Sequence, residues 1–156
     1  MPVLENQVRR LLDSRKAAVG VWVDMMDSAV VEMVAAADFD FVGIQLEHTA
    51  LDLADVYNHL RAAKAVGLPC LTRLWTDDSH VIQRILDAGA DAIMVPHVAT
   101  VDAARRAAAA VQFPPLGTRG MSSKCRATNY GVHGLSSIRE FMDWANRSVV
   151  LGVMIE

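Results

Sequence analysis

"FDFVGIQLEHTALDLADVYNHLRAAKAVGLPCLTRL", residues 39–74, carries the pattern on which the fold turns. Residues 39–46 are a mostly apolar run of strand length. Residues 53–67 read as a helix and close with Gly67, a residue suited to the left-handed position just past a helix end. Residues 68–74 are a second apolar run, entered by Pro69, which a strand tolerates at its start. Strand, helix and strand in that order predict two parallel strands joined by a helical crossover.

The unit repeats in both directions. Residues 8–17 read as a first helix and 18–23 as a first strand. Asp27 or Ser28 can cap the next helix, where Val30, Val31, Val34 and Ala35 make one apolar stripe. Downstream, Asp78 can cap a helix over 79–89 whose Val81, Ile82, Ile85 and Leu86 share a face. A fourth strand over 90–96 and an alanine-rich helix over 101–111 follow. Residues 112–134 hold two prolines and four glycines and read as a long functional loop. A helix over 136–148 has Ser137 and Glu140 at capping-box spacing, with Ile138, Phe141, Met142 and Ala145 on one face. Residues 149–156 are a fifth strand.

Short apolar strands alternating with helices predict an α/β fold with a parallel sheet. Five such units close as a doubly wound sheet, or form the first five of an eight-unit barrel. A last strand with no helix after Glu156 to cover it favours the barrel. The expectation is therefore a parallel (β/α) TIM barrel, with residues 1–156 as the N-terminal part of a single eight-unit domain.

Composition narrows the partners. A chain of 156 residues with 53% hydrophobic content has material for one core. The net charge of −3 and the scattered basic residues argue against nucleic acid. No apolar run approaches the roughly 20 residues of a membrane span. The stretch "MPVLENQVRR" lacks the apolar segment of a secretion signal. Cys70 and Cys125 then read as free thiols of a reducing, cytoplasmic compartment.

In either architecture ligands bind beyond the carboxyl ends of the strands. The polar residues there are Asp24, Gln45, Glu47, His48, Arg73, His97 and Glu156. Glu47 and His48 are neighbours, so only one points directly inward if the strand continues. Arg73 stands out, because a guanidinium in an apolar strand needs an anion or carboxylate partner. His48 suits either a base or a surface position, and Glu156 either a metal-ligand carboxylate or a solvated end residue. His97, after Pro96, reads as a loop residue rather than a ligand. Asp77 and Asp78 read as helix-start chemistry. Cys70, Cys125 and the eight methionines read as packing, and His59, His80 and His133 as ordinary helix or loop positions.

Taken in order, "GVWVDMMDSAVVEMVAAADFDFVGIQLEH", "PCLTRLWTDDSHVIQRILDAGADAIMVPHV", "FPPLGTRG" and "VVLGVMIE" resemble the metal-dependent pyruvate aldolases of the HpcH/HpaI aldolase/citrate lyase family. The resemblance runs from about residue 17 to the last residue. It implies an eight-stranded barrel, a homo-oligomer (a hexamer) and a divalent metal: magnesium, manganese or cobalt. It also implies reversible cleavage of a 4-hydroxy-2-oxo acid into pyruvate, or a related 2-oxo acid, and an aldehyde. By position, His48 is similar to the family's catalytic base and Arg73 to the residue that stabilises the enolate. Asp87 is similar to an aspartate that raises the basicity of that histidine, and Glu156 to the first metal carboxylate. Asp87 sits near a helix C-terminus, so it either orients His48 from a neighbouring subunit or is structural. Gln45, a substrate-contacting position, stands where relatives carry aspartate, and an amide can hydrogen-bond but carries no charge. Met154 replaces a substrate-binding glutamine of some relatives, and "MSSKC" a glycine after the "RG" pair. The family's second metal carboxylate lies beyond Glu156. Two alternatives follow: a superfamily lyase or decarboxylase acting on oxaloacetate or an acyl-CoA ester, and a non-catalytic five-unit binding module.

Overall fold

Side chains alternate across a strand, so a sheet covered by helices on one side buries every second residue against them. In the computed structural model, which describes residues 4–132 and 134–156, the alternation is clear over residues 70–73, where Cys70 and Thr72 are buried and Leu71 and Arg73 half-buried. Residues 1–3 of the stretch read for a leader, and His133, lie outside the described residues. The strands are β1 (Gly20–Val23), β2 (Phe41–Gln45), β3 (Cys70–Arg73), β4 (Ala92–Val95) and β5 (Val150–Val153). The helices are α1 (Gln7–Asp13), α2 (Ala29–Ala36), α3 (Leu53–Val66), α4 (Ser79–Asp87), α5 (Val101–Val111) and α6 (Ile138–Ser148).

All neighbouring strands are parallel, and their spatial order is their order in the chain. A doubly wound sheet reverses direction at a switch point. This sheet does not reverse; each strand adds beside the last, as in the wall of a (β/α) barrel. Val23, Ile44, Thr72, Ile93 and Leu151 are in register across the five strands. Val23, Ile44 and Ile93 pack in the main core with Val31, Val56, Leu60, Ile82, Ile85 and Ala107 of the helices. The opposite row, Gln45, Arg73, Met94 and Gly152, lies on the other face.

Local chemistry explains the element boundaries. Asp52 caps α3 through a capping box with Asp55, and Gly67 ends it at φ 70°. Asp78 accepts the N–H groups of His80 and Val81 at the start of α4. The Ser137 side chain accepts the Glu140 N–H at the start of α6. Asp27 Oδ1 accepts the Ala29 N–H, while Ser28 occupies the cap position of α2 without a side-chain bond. The loop after α5 is more ordered than its composition suggests. Thr118 N–H donates to the Ala109 carbonyl, Arg119 N–H to that of Gln112, and Gly120 N–H to Gln83 Oε1. A short 3-10 turn, Arg126–Gly131, follows. A second small core of Phe113, Phe141 and Ala145 seats α6. His59, read as an ordinary helix position, is fully buried, with Nδ1 2.7 Å from the Asp55 carbonyl and Nε2 2.9 Å from that of Met25. Cys70 is buried and Cys125 half-buried, both as free thiols. Among the described residues, no helix is long and apolar enough to cross a membrane.

Gly43 is required by a close approach rather than by its backbone angles. The Trp22 indole of the paired strand lies over it, so any Cβ would collide with the ring. Gly43→Ala is expected to lower thermal stability by about 1–3 kcal/mol, the usual cost of overpacking. Trp22→Ala in the same chain should recover most of that loss. Equal melting temperatures for Gly43→Ala and wild type would show that the indole moves aside freely.

Asp91 gives a pH-dependent case. Its Oδ2 accepts the Cys70 N–H at 3.2 Å, and its carbonyl accepts Asn6 Nδ2 at 2.5 Å, docking the start of α1. Burial pushes its carboxyl pKa above the ordinary value. A raised carboxyl pKa means that the folded state holds its proton more tightly than the unfolded chain. Stability from this group is therefore full below the ordinary carboxylate value and falls as pH rises from there through the raised folded-state value. Asp91→Asn keeps an acceptor for Cys70 and removes the charge. Its melting temperature at pH 7 should exceed that of wild type, with the gain shrinking in acid.

Candidate functional site

The strand ends of β2 to β5 build one polar cluster. β2 stops at Gln45, and the chain turns at once through residues 47–50. The Gln45 carbonyl accepts the Thr49 hydroxyl at 2.7 Å, and Gln45 Oε1 accepts the Glu47 N–H at 3.3 Å. Gln45, expected at the substrate, thus spends its amide oxygen on the turn itself. The strand does not continue past Gln45, and in the turn the two side chains take different surroundings. The Glu47 side chain turns in and is only 6% exposed; His48 stays open to solvent with Nε2 3.6 Å from Glu47 Oε2.

Arg73, the last residue of β3, needs a counter-charge, and Glu47 is that partner. Its Nη2 contacts Glu47 Oε2 directly. Its Nε is buried with no hydrogen-bond partner. One edge of the guanidinium is therefore satisfied, and a donor remains beside it.

His97 was read as a loop residue, and it does lie in the loop after β4. That loop is shaped around it. The Met154 N–H donates to the Val95 carbonyl and the Val98 N–H to the Met154 carbonyl, each at 2.9 Å. Between these two bonds His97 takes the left-handed conformation, φ 56°. Its Nε2 lies 2.9 Å from Glu47 Oε1 and its Nδ1 2.7 Å from Glu156 Oε2. The imidazole joins a carboxylate from the end of β2 to one beyond β5.

Of the expected site residues, His48, Arg73 and Glu156 therefore meet around Glu47 and His97. Asp87 does not join them. It is the last residue of α4, and its Oδ1 accepts Arg119 Nη2 at 2.8 Å. The Arg119 guanidinium also stacks over the Phe113 ring, 4.5 Å from its centroid. A helix in a β/α unit runs back against its strand, so its C-terminus lies toward the opposite rim. Within one chain Asp87 anchors the loop; a bond to His48 requires a second copy.

The sequence model of the HpcH/HpaI aldolase/citrate lyase family matches residues 18–156. The chain belongs to this family. It is 31% identical to a hydroxypyruvate/pyruvate aldolase of Sagittula stellata over 156 residues, covering 100% of this chain and 60% of that protein. It is 35% identical to a pyruvate aldolase of Rhizobium etli over 126 residues, covering 81% of this chain and 50% of the relative. Among solved structures, a family protein of Burkholderia cenocepacia superposes with a TM-score of 0.84 at 30% identity, covering 95% of this chain and 58% of that one. The chain thus spans about 50–60% of the length of these relatives.

Class II aldolases of the family are generally metal-dependent, so the donor set can be tested for fit. Glu47, His97 and Glu156 each offer a ligand atom, and all three lie within 4.8 Å of one another. Carboxylate oxygens and an imidazole nitrogen are ordinary donors for a divalent cation. Arg73 holds the other Glu47 oxygen, which fixes the carboxylate for such a role. The residues fit the ion.

Proposed function

We propose that this chain supplies the base, the anion-stabilising arginine and metal donors of an aldolase. The reaction is reversible cleavage of a 4-hydroxy-2-oxo acid into pyruvate, or a close 2-oxo acid, and an aldehyde. One observation carries the reading: Arg73, with a free buried Nε, sits beside a convergent carboxylate and imidazole set at the carboxyl ends of successive parallel strands.

The chemistry follows from electron flow. Cleavage removes the proton of the 4-hydroxyl, breaks the bond between C3 and C4, and releases the aldehyde. The electron pair passes through C3 and C2 to the 2-oxo oxygen as an enolate, and protonation at C3 then gives pyruvate. His48 stands open at the cluster rim and takes the hydroxyl proton. Arg73, held beside Glu47 at the end of β3, stabilises the developing enolate oxygen with its positive charge. Glu47 orients Arg73 and keeps its charge compensated before substrate arrives. Glu47, His97 and Glu156 would hold a divalent cation, which supplies Lewis-acid stabilisation to that same oxygen. Asp87 acts on His48 only across an interface with a second copy.

The test is coupled detection of pyruvate with the intact gene product and a panel of 4-hydroxy-2-oxo acids, beside oxaloacetate. Pyruvate from at least one hydroxy-oxo acid, with an equimolar aldehyde, is the expected result. Pyruvate from oxaloacetate alone would replace the aldolase with a decarboxylase.

A further inference from the structure

We propose that the cavity at the amino-terminal ends of β4 and β5 binds a small arylcarboxylate, a molecule with a flat apolar body and one anionic head. The inference goes beyond the aldolase reading and does not depend on it.

The cavity is separate from the strand-end cluster. Gly89, Ala90 and Asp91 lead into β4, and Ser148 and Val149 lead into β5, so it lies on the rim opposite Arg73. The approach to α1, the turn Arg126–Gly131 and α6 enclose it. Its volume is about 240 Å3. A cavity of about 150 Å3 holds a benzene ring, so this one has room for a ring and a carboxylate.

Two kinds of wall meet there. Leu86, Phe141, Trp144 and Val149 supply apolar surface, with the Phe141 and Trp144 rings tilted and 5.8 Å apart. Such a surface suits the edge or face of another ring. Lys64, Arg119 and Arg126 supply positive charge. Among the described residues neither Lys64 nor Arg126 is ion-paired. Arg119 is only 6% exposed, and its guanidinium is fixed by Asp87 and by the Phe113 ring. Its Nε is nevertheless buried without a hydrogen-bond partner. A buried donor left unpaired is costly, and an anion against this wall offers it an acceptor.

The acidic groups of the lining oppose an anion only weakly. Glu5 is matched by Arg10 at 3.2 Å, and burial pushes the Asp91 carboxyl pKa up. The backbone is also held away from its easy conformations here. Asn129 and Tyr130, both in the lining, take left-handed angles at φ 49° and 56°. The Tyr130 N–H donates to the Cys125 carbonyl at 3.0 Å, and Asn129 Nδ2 to that of Val132 at 2.9 Å. Conformations of this kind concentrate where a ligand is clamped. Inorganic phosphate fits less well, because it has no apolar body to cover Leu86 and Trp144 and gives up more hydration on entry.

The experiment uses the intact gene product with benzoate, benzyl alcohol and inorganic phosphate as probes. Calorimetry reads affinity, and tryptophan fluorescence reads the environment of Trp144. Benzoate should bind with a Kd of about 0.1–1 mM, benzyl alcohol at least about 10-fold more weakly, and phosphate more weakly still. Arg126→Gln should weaken benzoate about 10-fold, and Lys64→Gln, on an exposed helix end that tolerates the change, about threefold. Trp144→Phe should keep binding and lose the fluorescence change. Arg73→Ala, at the opposite rim, should leave benzoate affinity within about twofold of wild type. Benzoate that binds wild type, Arg126→Gln and Lys64→Gln equally overturns the proposal, as does benzyl alcohol binding as tightly as benzoate. Binding lost in Arg73→Ala and kept in Arg126→Gln moves the carboxylate to the strand-end cluster and overturns it too. Absence of benzoate binding to wild type ends the proposal, while the pyruvate assay decides the aldolase reading separately.

Discussion

Arg73→Ala is expected to lower kcat by about 10²–10³-fold, the range seen when one fixed donor to a developing oxyanion is removed. The chain should also lose stability, because the substitution strands Glu47. That carboxylate is 6% exposed, and its Oε2 has Arg73 as its close cationic partner, with His48 farther off at 3.6 Å. Removing one member of a sealed ion pair costs about 3–5 kcal/mol. This site opens to solvent, and His97 Nε2 remains 2.9 Å from the other oxygen, so about 1–3 kcal/mol is the reasonable range.

The two effects can be separated. Arg73→Ala combined with Glu47→Ala removes the stranded charge, so stability should return in part while activity stays lost. Arg73→Lys tests geometry. A lysine keeps the charge but offers no planar fork, so it cannot face Glu47 with one edge and a substrate oxygen with another. It should recover most of the stability and little of kcat. Arg73→Ala with kcat within threefold of wild type would remove the arginine from the reaction, whatever its structural role.

The fold was largely legible because its signals are local. Asp78 and Ser137 cap the helices they precede, and Gly67 ends α3 where its left-handed preference indicates. The alanine-rich run over residues 101–111 coincides with α5. The site was legible only in part. That Arg73 needs a counter-charge follows from desolvation, but the identity of its partner does not. It depends on the turn that follows β2, which seats Glu47 against the end of β3. His97 was missed for a related reason. Its placement comes from hydrogen bonds between the loop after β4 and Met154, 57 positions on, and nothing in "VPHV" encodes them. The only available signal was a histidine directly after an apolar strand. The pairing of Asp87 with Arg119, 32 positions apart, was hidden in the same way. A loop that folds back over its own helix leaves no periodic trace.

Glu156→Gln is expected to have the second large effect, and a selective one. The amide keeps the shape of the side chain and removes its charge, so metal affinity should fall at least about 10–100-fold. Stability should change little. The side chain is 38% exposed and pairs with His97 at 2.7 Å, so no buried charge is left behind. Wild type stripped by a strong chelator should lose pyruvate-releasing activity and regain it when a divalent ion is returned. Glu156→Gln should regain it only at much higher ion concentration, with a comparable maximum rate where the ion can be driven on. That pattern assigns the glutamate to holding the cation rather than to proton transfer. A variant locked at low rate under saturating metal would place Glu156 in the proton step. Wild-type activity that survives exhaustive chelation would take the cation out of the reaction altogether. Glu47, His97 and Glu156 would then be an ion-pair network that sets the shape of the rim around Arg73.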